Sequence, residues 1–149
     1  MTEEDPRERR LVQRLLIYWR DLSPEGVLPA TGSIRPADIE DMWPVCFTLV
    51  IGGPAPIFGH VGETHVALHG RDLSGRPISD AGVDTLLGRS TEYLDEVLLR
   101  KIPVTFGGTF TGPGGEPVLY RSTLLPLFDD DDEINGILGG ANCNLPEFE

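Results

Sequence analysis

The stretch IPVTFGGTFTGPGGEPVLYRSTLLPLF, residues 102–128, decides the fold of this chain. Its first part alternates polar residues with a set of large apolar side chains: Ile102, Val104, Phe106 and Phe110. Alternation with a period of two predicts a half-buried strand. The glycine-rich segment 111–116 predicts a turn, and the alternation resumes over 118–127. Together these features predict a hairpin of two antiparallel strands.

Three further strands are expected around this hairpin. The charged segment 129–132 predicts a turn, and the glycine-rich segment 134–141 after it predicts a bulged strand. Three consecutive antiparallel strands form a meander. Earlier in the chain, the β-branched and aromatic segments 46–51 and 57–61 flank a Gly-Gly-Pro turn and predict a second hairpin.

The segment between the second hairpin and the meander is predicted to be helical. We expect short helices over 63–68, 78–87 and 90–101, with Ser90 capping the last and Gly70 ending the first. Because strands bracket this helical middle, the fold class is α+β, with a five-stranded antiparallel sheet and helices packed on one face. A small cavity between the two layers is the expected ligand site.

The N-terminal segment carries a second, independent helical pattern. Apolar residues recur at intervals of three and four, and they predict a flanking helix within residues 1–24: Leu11, Val12, Leu15, Leu16, Trp19 and Leu22. Several of the twelve basic residues lie on the same segment. A solvated helix face explains them, and a docking or dimerising surface through Arg10, Arg14 and Trp19 is the functional alternative.

Length and charge restrict the class of protein. A chain of 149 residues with 40 % hydrophobic residues is long enough for one domain with its own core, expected over 25–141, before a polar tail over 142–149. The net charge of −12 opposes binding to nucleic acids and anionic lipids. Two cysteines far apart in sequence, no secretory signal and no long apolar run favour the cytoplasm and exclude a membrane span.

Six short motifs occur in order along the chain: Tyr18-Trp19, Leu28-Pro29, Pro36 to Ile39, Gly70 to Gly75, Leu124 to Leu127, and Ile134 to Gly139. In this order they resemble the short single-domain bacterial PAS-like proteins. The resemblance implies a PAS fold and a sensory or regulatory role in signalling through a protein partner. It implies no catalytic residues, so we expect no enzyme activity, and it supplies no shared cofactor. A homodimer through the N-terminal helix is a further expectation.

Residues of the expected cavity are chosen from the predicted strands. The aromatic candidates are Phe47, Phe58, Phe106 and Tyr120, with His69 and Arg121 as polar anchors for an acidic ligand. Packing of these rings in a filled core, with the protein acting as a scaffold, is the alternative to a ligand cavity.

The alternative function is a small metal- or haem-binding protein, or an enzyme, centred on His65 and His69. His65 and His69 are one helical turn apart, a spacing that lets two imidazoles reach one zinc or haem iron. Because no third ligand is evident, we expect no metal. The acidic segment 129–133 lacks the glycine and glutamate positions of an EF-hand, and the chain has neither a Walker sequence nor a nucleophile elbow.

Overall fold

A computed structural model describes residues 6–23 and 27–148. The predicted N-terminal helix therefore has its ends, 1–5 and 24, outside the described residues, as do positions 25–26 of the predicted domain and position 149 of the predicted tail. The helices are α1 (Pro6–Asp21), α2 (Glu63–His69), α3 (Leu86–Ser90) and α4 (Leu94–Arg100). The strands are β1 (Cys46–Val50), β2 (Ile57–Val61), β3 (Val104–Thr111), β4 (Pro117–Phe128) and β5 (Ile134–Cys143).

The five strands form one antiparallel sheet in the order β2-β1-β5-β4-β3. The predicted meander β3–β4–β5 and the predicted hairpin β1–β2 are both confirmed. The last strand, β5, lies at the centre of the sheet because β4 pairs with one of its edges and β1 with the other. The register shifts where Leu127 pairs with Gly136 and Phe128 with Ile134, which leaves an irregularity at Asn135, near the start of the glycine-rich strand.

The sheet has a core on each face. On one face α2, α3 and α4 cover a large cluster built around Phe47, Leu124 and Ile137. On the other face α1 and the short 3-10 helix Pro36–Ile39 cover a second cluster, in which Leu15 packs with Leu125 and Leu138. Adjacent residues of β5 and β4 enter opposite cores because side chains alternate along a strand. The fold is therefore the expected α+β sheet with a helical layer and a flanking N-terminal helix.

Two details of the predicted helices are wrong. Residues 78–87 do not form one helix, because a 3-10 helix Ile78–Ala81 ends at Gly82, whose φ of 79° lies in the left-handed region. Ser90 does not cap a helix either; it ends α3 and is buried. The cap in this region is Thr85, whose hydroxyl accepts a hydrogen bond of 2.9 Å from the amide of Gly88.

The C-terminal residues also differ from the predicted polar tail. Strand β5 continues to Cys143, two residues into that segment, and Asn142 is buried. Leu145 and Phe148 pack against the main core from the last described residues. The 3-10 helix Pro146–Phe148 follows Leu145 directly and turns both apolar side chains onto the core, which a count of polar residues does not reveal. The division of the chain into three segments otherwise stays a prediction.

The predicted effect of Gly139→Ala tests the packing of the main core. A Cβ at this position would overlap the Phe47 ring, which lies across β5 and is fully buried. We expect a loss of about 2 kcal/mol in the free energy of unfolding, the usual cost of overpacking. Urea denaturation measures it, with the exposed Gly53→Ala as control, where the nearest atom to a new Cβ is 3.9 Å away. Equal stability of the two variants would contradict the packing described.

Candidate functional site

A pocket of about 170 Å³ opens between the helical layer and the far end of β3. Helix α2 contributes His65, Leu68 and His69 to its wall. The remaining lining residues come from the start of α3 and from the β3–β4 hairpin: Asp84, Thr85, Leu86, Leu87, Phe110, Thr111, Gly112 and Pro113. The lining is mainly apolar with a few polar groups, which is the usual composition of a small-molecule site. We refer to it as the α2 pocket.

His65 forms the buried end of the α2 pocket. Its Nε2 lies 2.8 Å from the carbonyl oxygen of Val45. Because a carbonyl can only accept, Nε2 carries the proton and donates it. The ring also packs edge-on against Phe47 and Phe148, with centroids 5.8 Å and 5.6 Å away. Burial lowers the pKa of His65 to about 4, so the imidazole is neutral at physiological pH.

Asp84 and Thr85 hold the rim of the α2 pocket. Asp84 Oδ1 accepts a hydrogen bond of 3.1 Å from the amide of Thr111, and an Arg89 nitrogen lies 3.6 Å from the same oxygen. The Thr111 hydrogen bonds lower the pKa of Asp84, which therefore stays ionised. Thr85 donates its hydroxyl proton to the carbonyl of Ala81 while capping α3. These bonds join the helical layer to the end of β3.

His69 lies one turn after His65, near the exit of α2, where Gly70 adopts a φ of 94° as predicted for a helix end. Burial, followed by the nearby charge of Arg71, lowers the pKa of His69. Among the side chains of residues 10–23 and 27–148, no group of three or more histidine, cysteine or acidic groups is placed to hold a metal ion. Since the Nε2 proton of His65 is also committed to Val45, the geometry gives the metal or haem alternative no support.

The aromatic candidates for the cavity occupy two places. Phe47 and Phe58 are fully buried and meet edge-on at 6.2 Å in the main core. Phe106 and Tyr120 join Tyr93 in a row of edge-on contacts toward the outer edge of the sheet. None of these rings lines the α2 pocket, where Phe110 provides the aromatic surface instead. Their assignment to a ligand stays a prediction.

The two polar anchors lie on opposite sides of the sheet. His69 lines the α2 pocket, whereas Arg121 alternates with Tyr120 along β4 and so points to the α1 face. They cannot hold one ligand together. The ionised Asp84 at the pocket rim also opposes the acidic ligand that was expected.

The partner-binding candidates all lie on α1. Arg10 is exposed, and Arg14 forms an exposed ion pair of 2.7 Å with Asp41. Trp19 is half-buried, and its Nε1 donates a hydrogen bond of 2.7 Å to the carbonyl of Pro126. Trp19 therefore anchors α1 to β4, which leaves the two arginines on the outward surface. A contact of α1 with a partner or a second copy stays a prediction.

Sequence reasoning missed Asp84, Thr85 and Phe110 as pocket residues. Thr85 carries a detectable signal, since a threonine before the apolar pair Leu86-Leu87 is a typical N-cap. Asp84 carries none, because its role depends on the amide of Thr111, twenty-seven residues away. The pocket is a tertiary feature that needs the α2–α3 contact as well as the end of β3.

Comparison with known families and structures identifies the fold. A family model described as "PAS domain" matches residues 7–141. Among solved structures, the dark state of the Aureochrome1 LOV photoreceptor is 11 % identical, with a TM-score of 0.54, covering 74 % of this chain and 82 % of that one. A structure from work on a flavin analogue and a light-oxygen-voltage domain is 14 % identical, with a TM-score of 0.51 and coverages of 69 % and 78 %.

At these identities the solved structures show the fold alone, and they confirm the PAS-like architecture. The light state of the same Aureochrome1 domain gives a TM-score of 0.52 at 11 % identity, covering 74 % of this chain and 89 % of that one. A comparison with curated protein sequences finds no match. None of the described helices is both long enough and apolar enough to span a membrane.

The buried His65 predicts a loss of stability in mild acid. The pKa of His65 is about 4 in the folded protein and 6.5 when unfolded, so the unfolded chain takes up the proton first. The contribution of the neutral His65 to the free energy of unfolding is therefore fully present above pH 6.5, and it is lost as the pH falls toward 4. Between pH 7 and pH 5 we expect the free energy of unfolding to fall by about 2 kcal/mol through this residue.

The variant His65→Gln measures that contribution by difference. Both proteins are denatured with urea at pH 7, 6 and 5. The difference between their free energies of unfolding cancels the effects of the carboxylates and the other histidines, which are common to both. We expect the variant to be less stable at pH 7 and its disadvantage to shrink as the pH falls. Parallel pH profiles would show that His65 is not buried as described.

Proposed function

Because the chain belongs to the PAS domain family, we propose that it is a non-enzymatic sensory or regulatory domain. It binds a small ligand in the α2 pocket and acts in signalling through contact with a protein partner. The observation that carries this proposal is the pocket itself, which lies between the helical layer and the end of β3. Its wall is mainly apolar and includes the ionisable side chains of His65, His69 and Asp84.

The size and charge of the α2 pocket define the class of ligand. Its volume of about 170 Å³ is below the ~300–1,000 Å³ of pockets for drug-sized molecules. A flavin, the class of molecule studied with one structural neighbour, is larger than this pocket accommodates. With two neutral imidazoles inside and one carboxylate at the rim, the pocket suits a small, mainly apolar molecule that is neutral or cationic and carries a hydrogen-bond donor.

A ligand in this pocket would act on the packing of helices against the sheet. It would touch α2 and α3 on one side and the β3–β4 hairpin on the other. A ligand that prefers one arrangement of these elements shifts the population toward it by its difference in affinity for the two. The outward surfaces of α2 and α3, which a partner could contact, would change with it.

The proposal of a non-enzymatic domain draws on the chemistry of the pocket wall. The residues lining the α2 pocket include no serine, cysteine or lysine. The Thr85 hydroxyl is hydrogen-bonded to Ala81 and Gly88, and the Asp84 carboxylate is held by Thr111 and Arg89. Burial raises the pKa of the Cys46 thiol to about 12, so it is not a reactive thiolate. Cys46 and Cys143 are both buried and are not joined in a disulfide, which suits the reducing cytoplasm proposed as the location.

Leu68→Phe is predicted to weaken ligand binding by filling part of the α2 pocket. The probe is a library of small apolar fragments carrying one amine, amide or hydroxyl group, screened by ligand-observed NMR. We expect the wild type to bind some of them, with backbone shifts at His65, Asp84 and Thr111. Affinity in Leu68→Phe should fall at least about tenfold.

The matched control is Leu99→Phe, the same change at a side chain 84 % exposed on α4. It should bind fragments as the wild type does. A wild type that binds none of the library, or hits that are unaffected by Leu68→Phe, would contradict the proposal that this pocket is the ligand site.

A further inference from the structure

A second, wider depression of about 600 Å³ lies on the other side of α2 from the ligand pocket. Its lining comes from the region of the 3-10 helices Pro36–Ile39 and Trp43–Val45, from β2 and from the first turn of α2: Pro36, Ala37, Glu40, Trp43, Pro44, His60 and Glu63. It shares no residue with the α2 pocket. We refer to it as the Trp43 groove.

Two stacked rings form the aromatic surface of the Trp43 groove. The rings of Trp43 and His60 lie parallel, with centroids 4.1 Å apart and an angle of 7° between their planes. The backbone amide of His60 donates a hydrogen bond of 2.8 Å to the Thr48 hydroxyl, which ties this part of β2 to β1. Burial lowers the pKa of His60, so the stacked pair is uncharged at neutral pH and does not repel a cation.

Two carboxylates flank these rings. Glu40 and Glu63 are exposed and line the groove, and neither forms an ion pair with any side chain that the structure describes, those of residues 10–23 and 27–148. Glu63 also borders a neighbouring shallow depression together with Glu147. The acidic surface therefore continues from the groove along α2, on a protein whose net charge is −12.

We propose that the Trp43 groove docks an extended, arginine-containing segment of a protein partner. An arginine side chain stacks on the exposed surface of the Trp43–His60 pair and forms ion pairs with Glu40 and Glu63. Arginine fits better than lysine because its planar guanidinium can stack on an aromatic ring and pair with carboxylates through the same group. The prolines at positions 36 and 44 supply rigid walls that lose little entropy on binding.

This inference names the kind of partner that the proposed function requires, but it does not depend on the ligand pocket. Failure of fragment binding would leave the groove unaffected, because the two sites have separate lining residues. Failure of peptide binding would likewise leave the α2 pocket proposal in place.

The test uses a capped pentapeptide of alternating alanine and arginine, together with its lysine and citrulline counterparts. Titration of the full chain is followed by NMR through the Trp43 indole and the backbone amides of His60 and Glu63. We expect shifts at these positions with the arginine peptide, weaker affinity for the lysine peptide, and no measurable binding of the neutral citrulline peptide.

The variant Glu40→Gln/Glu63→Gln separates specific pairing from general attraction to an acidic protein. Its control is Asp130→Asn/Asp131→Asn, the same change of charge in the exposed β4–β5 turn. We expect the groove variant to weaken binding at least about tenfold and the control about twofold or less. Equal weakening by both variants, or no shift at Trp43 in the wild type, would overturn the proposal.

Sedimentation velocity of the same proteins tests for a different occupant. The basic helix α1 of a second copy could enter the groove instead of a partner segment. We expect the groove variant and the wild type to have the same oligomeric state. A wild-type dimer that dissociates on Glu40→Gln/Glu63→Gln would show that the groove binds another copy of this chain, and would overturn the proposal of a separate partner.

Discussion

The absence of side chains at Gly139 and Gly140 is the constraint on which the rest of the structure depends. These residues lie at the middle of β5, the central strand, opposite Phe47 and Cys46 of β1. A Cβ at Gly139 would overlap the Phe47 ring, and one at Gly140 would overlap a methyl group of Leu15. Phe47 therefore lies directly against β5 on one face, and Leu15 lies directly against it on the other. The helices on both faces can pack close to the sheet for this reason.

This close approach determines where the functional groups lie. Phe47, set against β5, also contacts the ring of His65 and so positions α2. His65 in turn donates a hydrogen bond to Val45, which belongs to the same short 3-10 helix as Trp43. The α2 pocket and the Trp43 groove are thus connected through one helix and one hydrogen bond, although they share no lining residue.

Much of the sheet could be predicted from the sequence because its strands differ in local pattern from the rest of the chain. The alternation over 102–128 identifies β3 and β4 without reference to any distant residue. The helices between β2 and β3 are harder to predict from the sequence. They are only five to seven residues long, and helical periodicity is recognisable only over a longer window. Gly82, within the segment predicted as one helix, carries the left-handed φ that interrupts it.

The candidate site could be predicted only in part. The spacing of His65 and His69 is visible in the sequence, whereas the contact of Asp84 with Thr111 is not, since it depends on the completed fold.

The close packing of both layers on β5 is tested most directly by nuclear Overhauser effects in the folded protein. We expect strong cross-peaks from the Phe47 ring protons to the α-protons of Gly139, and from the Leu15 methyl groups to those of Gly140. Because these contacts come from opposite faces, seeing both places β5 between the two layers. Absence of both sets of cross-peaks, in a protein whose strands are otherwise assigned, would contradict this arrangement.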